Sequence, residues 1–279
     1  MKSNIKLSII TINYNNAEGL KKTLESVVAQ TQHDFEHIVI DGGSTDGSKE
    51  VIKTFNYPSL LWVSEPDNGI YNAMNKGIVK AKGEYLLFLN SGDYLENNNV
   101  VQNVILYLNK GISIISGDLV FDEKMGKRLR KNPEKLTFSY LVGNAISHPS
   151  TFIKRELFLK YGYYDENLKI VSDWAFFLKV LGLNNESYMH MPVTVSVFDT
   201  NGISTHEDGL ENVYKEREQV LKTFFPRIFN NENDIYVFNN FKTQSKRFKY
   251  LKTIDQSPFV RKITTMVLAI LSSIAKFFK

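Results

Sequence analysis

The chain contains no cysteine. A disulfide framework, a thiolate zinc site and a cysteine nucleophile are therefore excluded. It also lacks any run of 18 uncharged apolar residues, which argues against a standard membrane-spanning helix. No secretory leader is expected. Met1-Lys2-Ser3-Asn4-Ile5-Lys6 leads straight into the strand-like run Leu7–Tyr14, and no small-residue cleavage site follows. No G-x-G-x-x-G follows a strand-like run, which disfavours a dinucleotide-binding Rossmann enzyme.

What is present is an ordinary globular mixture, 43% hydrophobic and 23% charged, in 279 residues. That length suits one large domain, or one domain with an appendage. The formal charge of +4 is unevenly spread. Residues 242–279 carry nine Lys/Arg against one acid, whereas the rest carries 25 basic and 29 acidic side chains. An acidic body with a basic tail disfavours a nucleic-acid binder, whose positive charge would cover a binding face.

The first half alternates between two periods. Leu7–Asn13, Phe35–Ile40, Leu60–Val63, Tyr85–Leu89 and Ile112–Ile115 read as buried strands. Leu20–Ala29, Ser48–Phe55, Ile70–Ala81 and Val100–Leu108 read as helices, the third with Ile70, Ala73, Met74, Gly77, Ile78 and Ala81 on its core face. Such a β-α rhythm predicts a mostly parallel sheet flanked by helices, with ligands at the carboxyl ends of the strands. The second half is less regular. Ser147–Ile153 and Val193–Phe198 read as strands, and Lys154–Tyr161, Asp173–Leu181 and Leu210–Phe225 as helices.

Polar, glycine-bearing loops follow the strands, as that architecture requires. Gly42–Lys49 nearly matches a phosphate loop, but its Lys and Ser are reversed and Asp46 would sit among the phosphates. Asp41, at a strand's carboxyl end, faces the expected crevice and can accept from a base N–H or a ribose hydroxyl. Asp46 can cap the next helix or serve the ligand. Asp67, in Asp67-Asn68-Gly69, has the same two readings. Tyr71, Asn72, Asn75 and Lys76 fall on the non-core face of the helix that follows. Lys76 can balance a diphosphate or simply be a solvated charge. Asp93, in Asn90-Ser91-Gly92-Asp93, can hold Mn²⁺ or Mg²⁺ or end a polar turn. Asp118, after the fifth strand, is a candidate for an acceptor site, whereas His148 by itself reads as a hydrogen-bonded structural residue. His206 is a weaker candidate for the metal or diphosphate.

The order I-D-G-G-S-T-D-G-S, E-P-D-N-G-I-Y-N-A-M-N-K-G and F-L-N-S-G-D, with Ser172-Asp173-Trp174 and Asn201-Gly202-Ile203-Ser204, resembles family 2 glycosyltransferases of the GT-A fold. Within that family it is similar to bacterial enzymes of colanic-acid-type surface polysaccharide assembly. The resemblance runs from about Leu7 to about Thr205. It implies that Asp41 contacts the donor nucleotide, that Asp67 lines the same pocket and that Asp93, the last acid of a D-x-D-type motif, holds the metal. Asp173 would be the general base on the acceptor hydroxyl, and His148, in the matching Ser147-His148-Pro149, a candidate for the acceptor site. The sequence departs from the family pattern at Asn90, Gly92 and Ser172. It also lacks the Q-x-x-R-W motif of processive synthases, so transfer of one sugar is expected.

Lys242–Lys252 interleaves basic and aromatic residues. A final helix then opens at Pro258, and its uncharged stretch Ile263–Ala275 is 13 residues, about 20 Å of helix. That is too short to span a membrane upright. The expectation is a helix lying in an anionic membrane interface, or a core or dimer helix. The sequence therefore predicts a GT-A domain over 1–228 and a basic helical tail over 229–279. The expected activity is an inverting, metal-assisted transfer from a nucleotide sugar, a UDP-sugar by the resemblance, to a glycan or lipid-linked acceptor at the cytoplasmic face of the plasma membrane. A sugar-phosphate nucleotidyltransferase and a non-catalytic nucleotide-sugar or glycan-binding module are the alternatives.

Overall fold

In a computed structural model, the described residues are 5–123, 126–200, 207–227, 229, 250, 253, 254 and 256–277. The chain divides into two compact units, Met1–Pro226 and Arg227–Lys279. His206, Asn201-Gly202-Ile203-Ser204 and most of the basic segment after 241 lie outside the described residues.

The first unit begins with β1 (Leu7–Asn13), α1 (Ala17–Val28), β2 (Phe35–Asp41), α2 (Ser48–Thr54), β3 (Leu60–Ser64), α3 (Ile70–Lys80) and β4 (Tyr85–Phe88). These strands pair in parallel in the order β3-β2-β1-β4, with Leu7 beside Phe35 and Asn13 beside Asp41. Every residue of β1 and β2 is buried, including Glu36, His37 and Asp41 of β2. α3 lies so close to the sheet that a Cβ on Gly77 would come within 2.5 Å of Ile10 Cγ2.

The second half is mixed rather than parallel. It comprises β5 (Tyr94–Leu95), α4 (Val100–Leu108), β6 (Ile114–Glu123), β7 (Gly126–Arg130), α5 (Phe138–Gly143), β8 (Thr151–Lys154), α6 (Arg155–Tyr161), α7 (Ser172–Phe177), β9 (Tyr188–Asp199) and α8 (Glu207–Phe224). β8 runs antiparallel to both β4 and β6, and β5 runs antiparallel to β9; β6 pairs in parallel with β9 across a bulge near Gly117. The run expected as a strand over Ser147–Ile153 opens instead with a 3₁₀ turn, His148–Ser150, before β8. Pro149 cannot donate to a ladder, so the turn ends where pairing begins. α7 continues into a π-helical turn, Leu178–Leu183.

One helix face differs from expectation. Tyr71 is buried at 6% exposure, whereas Ile70 is 36% exposed. The sheet takes one side of α3, and the segment before α7 takes another through Tyr71. That second surface is formed by residues about a hundred positions downstream, so helical periodicity could not show it.

The second unit contains α9 (Pro258–Phe277). Its stretch Pro258–Lys276 is 19 residues with mean hydropathy 1.4, and none of it is buried. Taken whole, with Arg261 and Lys262 at one end, it is long and apolar enough to cross a membrane. The shorter estimate counted only its uncharged centre.

Candidate active site

The loops that follow β1, β2 and β4 are stitched into one edge. Asn15 N–H donates to Ser44 Oγ (2.8 Å), Thr45 N–H to Asn15 Oδ1 (2.9 Å) and Asn16 Nδ2 to the Ser91 carbonyl (3.2 Å). Asp46 accepts from Ala17 N–H and from Ser48 N–H and Oγ, so it caps the chain entering two helices. Its capping reading is thereby realised.

Asp41 ends β2 and is fully buried. Asn13 Nδ2, Ser44 N–H, Ser44 Oγ and Ser64 Oγ all donate to it. Four bonds fill the capacity of a carboxylate. Burial pushes the Asp41 carboxyl up, and the hydrogen bonds outweigh it, leaving the group below the usual carboxylate range. Asp67 accepts from Gly69 N–H (2.9 Å), and its Oδ2 would lie 2.4 Å from a Cβ at Gly42. The glycine thus lets the two loops approach. Tyr14, 67% exposed, flanks the same glycine and offers a bare aromatic surface that sequence reasoning passed over. Lys76 pairs with Glu65 (2.9 Å) and donates to the Pro66 carbonyl (2.9 Å), so it braces the loop bearing Asp67.

Asp93 is 3% exposed. Its Oδ1 accepts from Asp199 N–H at 3.0 Å. Burial is the main cause that pushes its carboxyl up to about 8, with the Asp199 carboxylate adding to it. Asp199 was absent from the sequence candidates. Its only local signal is an acid closing a strand, yet a Cβ on Gly92 would meet its Oδ2 at 3.0 Å. Among the described residues no three His, Cys, Asp or Glu side chains gather as a metal site.

Asp173 stands in the first turn of α7, where the helix dipole favours an anion. Tyr71 Oη lies 3.0 Å from Asp173 Oδ1 and 2.7 Å from the Ile170 carbonyl. The two expected acceptor residues lie deeper. His148 stacks on Phe88 at 4.7 Å and shares a 2.8 Å hydrogen bond with Tyr164; burial holds its ring below the ordinary histidine range despite Asp173. Tyr164 in turn packs against Tyr71 at 5.6 Å. Asp118 accepts from His190 Nε2 (2.8 Å) and from Asn132 N–H (3.2 Å), which anchors the chain after β7.

Four buried polar side-chain atoms lack a partner among the described residues: Asn13 Oδ1, Asn90 Oδ1, Ser172 Oγ and Arg217 Nε. Buried polar groups are normally satisfied, so such orphans ask for a ligand or solvent. Asn13 and Asn90 lie beside Asp41 and Asp93 in the chain or in the sheet register, and Ser172 precedes Asp173.

Comparison with known proteins identifies the family and the fold. The model of glycosyl transferase family 2 matches residues 8–173. An uncharacterized glycosyltransferase of Mycobacterium tuberculosis strain CDC 1551 is 34% identical over 217 residues, covering 75% of this chain and 80% of its own. A PGL/p-HBAD biosynthesis glycosyltransferase of Mycobacterium bovis BCG is 28% identical over 216 residues, covering 76% and 81%. Among solved structures, Staphylococcus aureus TarS 1–349 with UDP-GlcNAc aligns at a TM-score of 0.63 and 18% identity, covering 86% of this chain and 71% of that one. The mannosyltransferase PcManGT of Pyrobaculum calidifontis with GDP-Man and Mn²⁺ aligns at 0.60 and 15%, covering 95% and 80%. A family match over more than half the chain, on this sheet topology, makes the protein a family 2 glycosyltransferase of the GT-A fold.

Proposed function

We propose that the enzyme transfers one sugar from a nucleotide-diphosphate sugar, a UDP-sugar as the first choice, to a hydroxyl of a glycan or lipid-linked acceptor, with inversion. The observation that carries this reading is the 3.0 Å contact between Tyr71 and Asp173. It fixes one carboxylate oxygen and leaves the other to take a proton. In the reaction the acceptor oxygen forms a bond to the anomeric carbon as the bond to the diphosphate breaks. The acceptor proton passes to Asp173. One displacement inverts the anomeric centre.

Asp67 and the glycine turn at Gly42 line the nucleotide side, with Asp41 holding that turn rigid and Lys76 bracing its neighbour. Exposed Tyr14 suits stacking on a base. Asp93 with the orphaned Asn90 Oδ1, and Asp199 beside them, form a hard-oxygen set that fits Mn²⁺ or Mg²⁺. When bound, such an ion stabilises charge on the leaving diphosphate. The nucleotide sugars held by TarS and PcManGT support this donor class, and the Mn²⁺ in PcManGT supports the metal. The name of the PGL/p-HBAD relative supports a biosynthetic role.

The domain reading, 1–228 for catalysis and 229–279 as a membrane address, belongs to the same proposal. The apolar α9 and the basic residues before it favour a peripheral place at the inner face of the plasma membrane.

Asp173→Asn tests the core of the proposal. Nucleotide sugars are first screened by thermal shift with and without Mn²⁺, since binding raises apparent stability. The variant is expected to keep the donor shift and to lose turnover by at least a hundredfold. Turnover near wild type would sink the assignment.

A further inference from the structure

Arg217 on α8 is 8% exposed, yet it is poorly satisfied. A guanidinium carries five N–H donors. Here Nη1 reaches the Gly143 carbonyl only at 3.5 Å, and Nε is buried without a partner. The neighbouring acid does not neutralise it. Glu216 accepts instead from three backbone N–H groups, those of Lys169, Ile170 and Val171, at 2.7, 2.9 and 3.1 Å.

The surroundings of Arg217 sharpen this. Its guanidinium lies 4.7 Å from the centre of the Trp174 ring, next in sequence to Asp173. Trp174 Nε1 donates to the Leu141 carbonyl at 2.6 Å, so the ring is fixed under the cation. Burial pushes the guanidinium down to about 10; Asp173 and Tyr214 push it up, and Arg130 pushes it down. Geometry also brings the two arginines together, because Arg217 and Arg130 reach carbonyls only two residues apart, those of Gly143 and Ala145. Arg130 Nη2 is engaged by the Ala145 carbonyl at 2.6 Å. Gathering two cations with too few acceptors is unfavourable unless an anion completes the set. A planar guanidinium pairs bidentately with phosphate or carboxylate, which suits it to that task.

We propose that Arg217 and Arg130 form a subsite beside Asp173 for an anionic group, a phosphate or carboxylate, carried by the sugar acceptor. This rests on the reading that Asp173 faces the acceptor. The elements agree with an acceptor rather than a donor origin. The nucleotide-side residues follow β2, β3 and β4, whereas Arg130, Gly143, Trp174 and Arg217 all belong to the mixed second half. The anion would replace the long contact from Arg217 to Gly143.

The test uses inorganic phosphate as probe and the indole under Arg217 as reporter. Trp62 and Trp174 are the two tryptophans, so full-length Trp62→Phe reports Trp174 alone. Phosphate is expected to change its emission saturably, with binding at least tenfold weaker in Arg217→Gln and severalfold weaker in Arg130→Gln. Arg217→Lys, which keeps charge but loses the fork, should fall between. UDP with Mn²⁺ should leave the phosphate titration in place. Displacement by UDP would assign the anion site to the donor diphosphate and overturn the acceptor assignment. No saturable change, or equal titrations in the wild-type and both Gln backgrounds, would overturn the subsite itself. If Arg217→Gln fails to melt cooperatively, Arg130→Gln and Arg217→Lys carry the decision. Asp173→Asn separates the two readings. Retained turnover would remove the base assignment, and the phosphate titration would still decide the subsite.

Discussion

Tyr71 shows how much one hydroxyl can organise. Its phenol touches Asp173 and the Ile170 carbonyl, and burial with the nearby Asp173 charge raises its own ionisation well above the usual range. It therefore stays a neutral hydroxyl set between that carboxylate and that carbonyl. Tyr71→Phe removes that bond while keeping the ring against Tyr164. A hydrogen bond to a charged group contributes about 1.5–3 kcal/mol. The expected outcome is a fall in kcat of roughly tenfold or more. The KM for donor should be little changed. Steady-state kinetics on both proteins check it. An unchanged kcat would mean that Tyr71 only packs.

At the scale of elements, α8 holds α7 in place through Glu216. The carboxylate collects three backbone N–H groups just before Asp173, as an N-terminal cap supplied from a distant helix. Glu216→Ala should destabilise the fold by about 1–3 kcal/mol, because three donors lose their acceptor together. Hydrogen exchange at Lys169–Val171 should quicken more than in β1, and denaturant melts give the energy. The strands tell a similar story of local and remote causes. β1 and β4 were legible because burial on both faces makes a strand largely apolar, and β2 through its closing run Ile38–Ile40. β7 was not, since Gly126–Arg130 is largely exposed and carries Lys127, Arg128 and Arg130. Among the described residues it pairs with β6 alone.

On the scale of the whole molecule, two properties follow. The parallel half buries His37 completely, between Thr11 and Tyr57. Burial lowers its imidazole from 6.5 to about 3. Below pH 6.5 the unfolded chain takes a proton that the folded chain refuses, so stability falls as pH drops from 6.5 toward 3. The slope is on the order of 1 kcal/mol per pH unit from this site. Thermal midpoints between pH 7 and pH 5 should fall less steeply in His37→Gln than in the wild type. The second property concerns the tail. α9 exposes most of its described apolar residues, Met266 and Phe259 among them. Truncation after Phe241 should move the enzyme from membrane to soluble fractions, measured by sedimentation with anionic vesicles; unchanged partitioning would refute the anchor.

By itself the sequence determined the β-α order of the first half, the acidic loops at the strand ends and the family to which they belong. These are written in short-range periodicity and in contiguous motifs, where each signal lies within a few residues of the next. The tertiary structure alone decided which polar groups meet. Tyr71 reaches Asp173 across 102 positions, and Asp199 reaches Asp93 across 106. It also turned His148 and Asp118 toward the interior and left Arg217 short of acceptors beside Trp174, next in sequence to Asp173. Such pairings depend on how the mixed half of the sheet folds back on the parallel half. No local pattern encodes that return, because its energy comes from burial and hydrogen bonds between segments far apart in the chain.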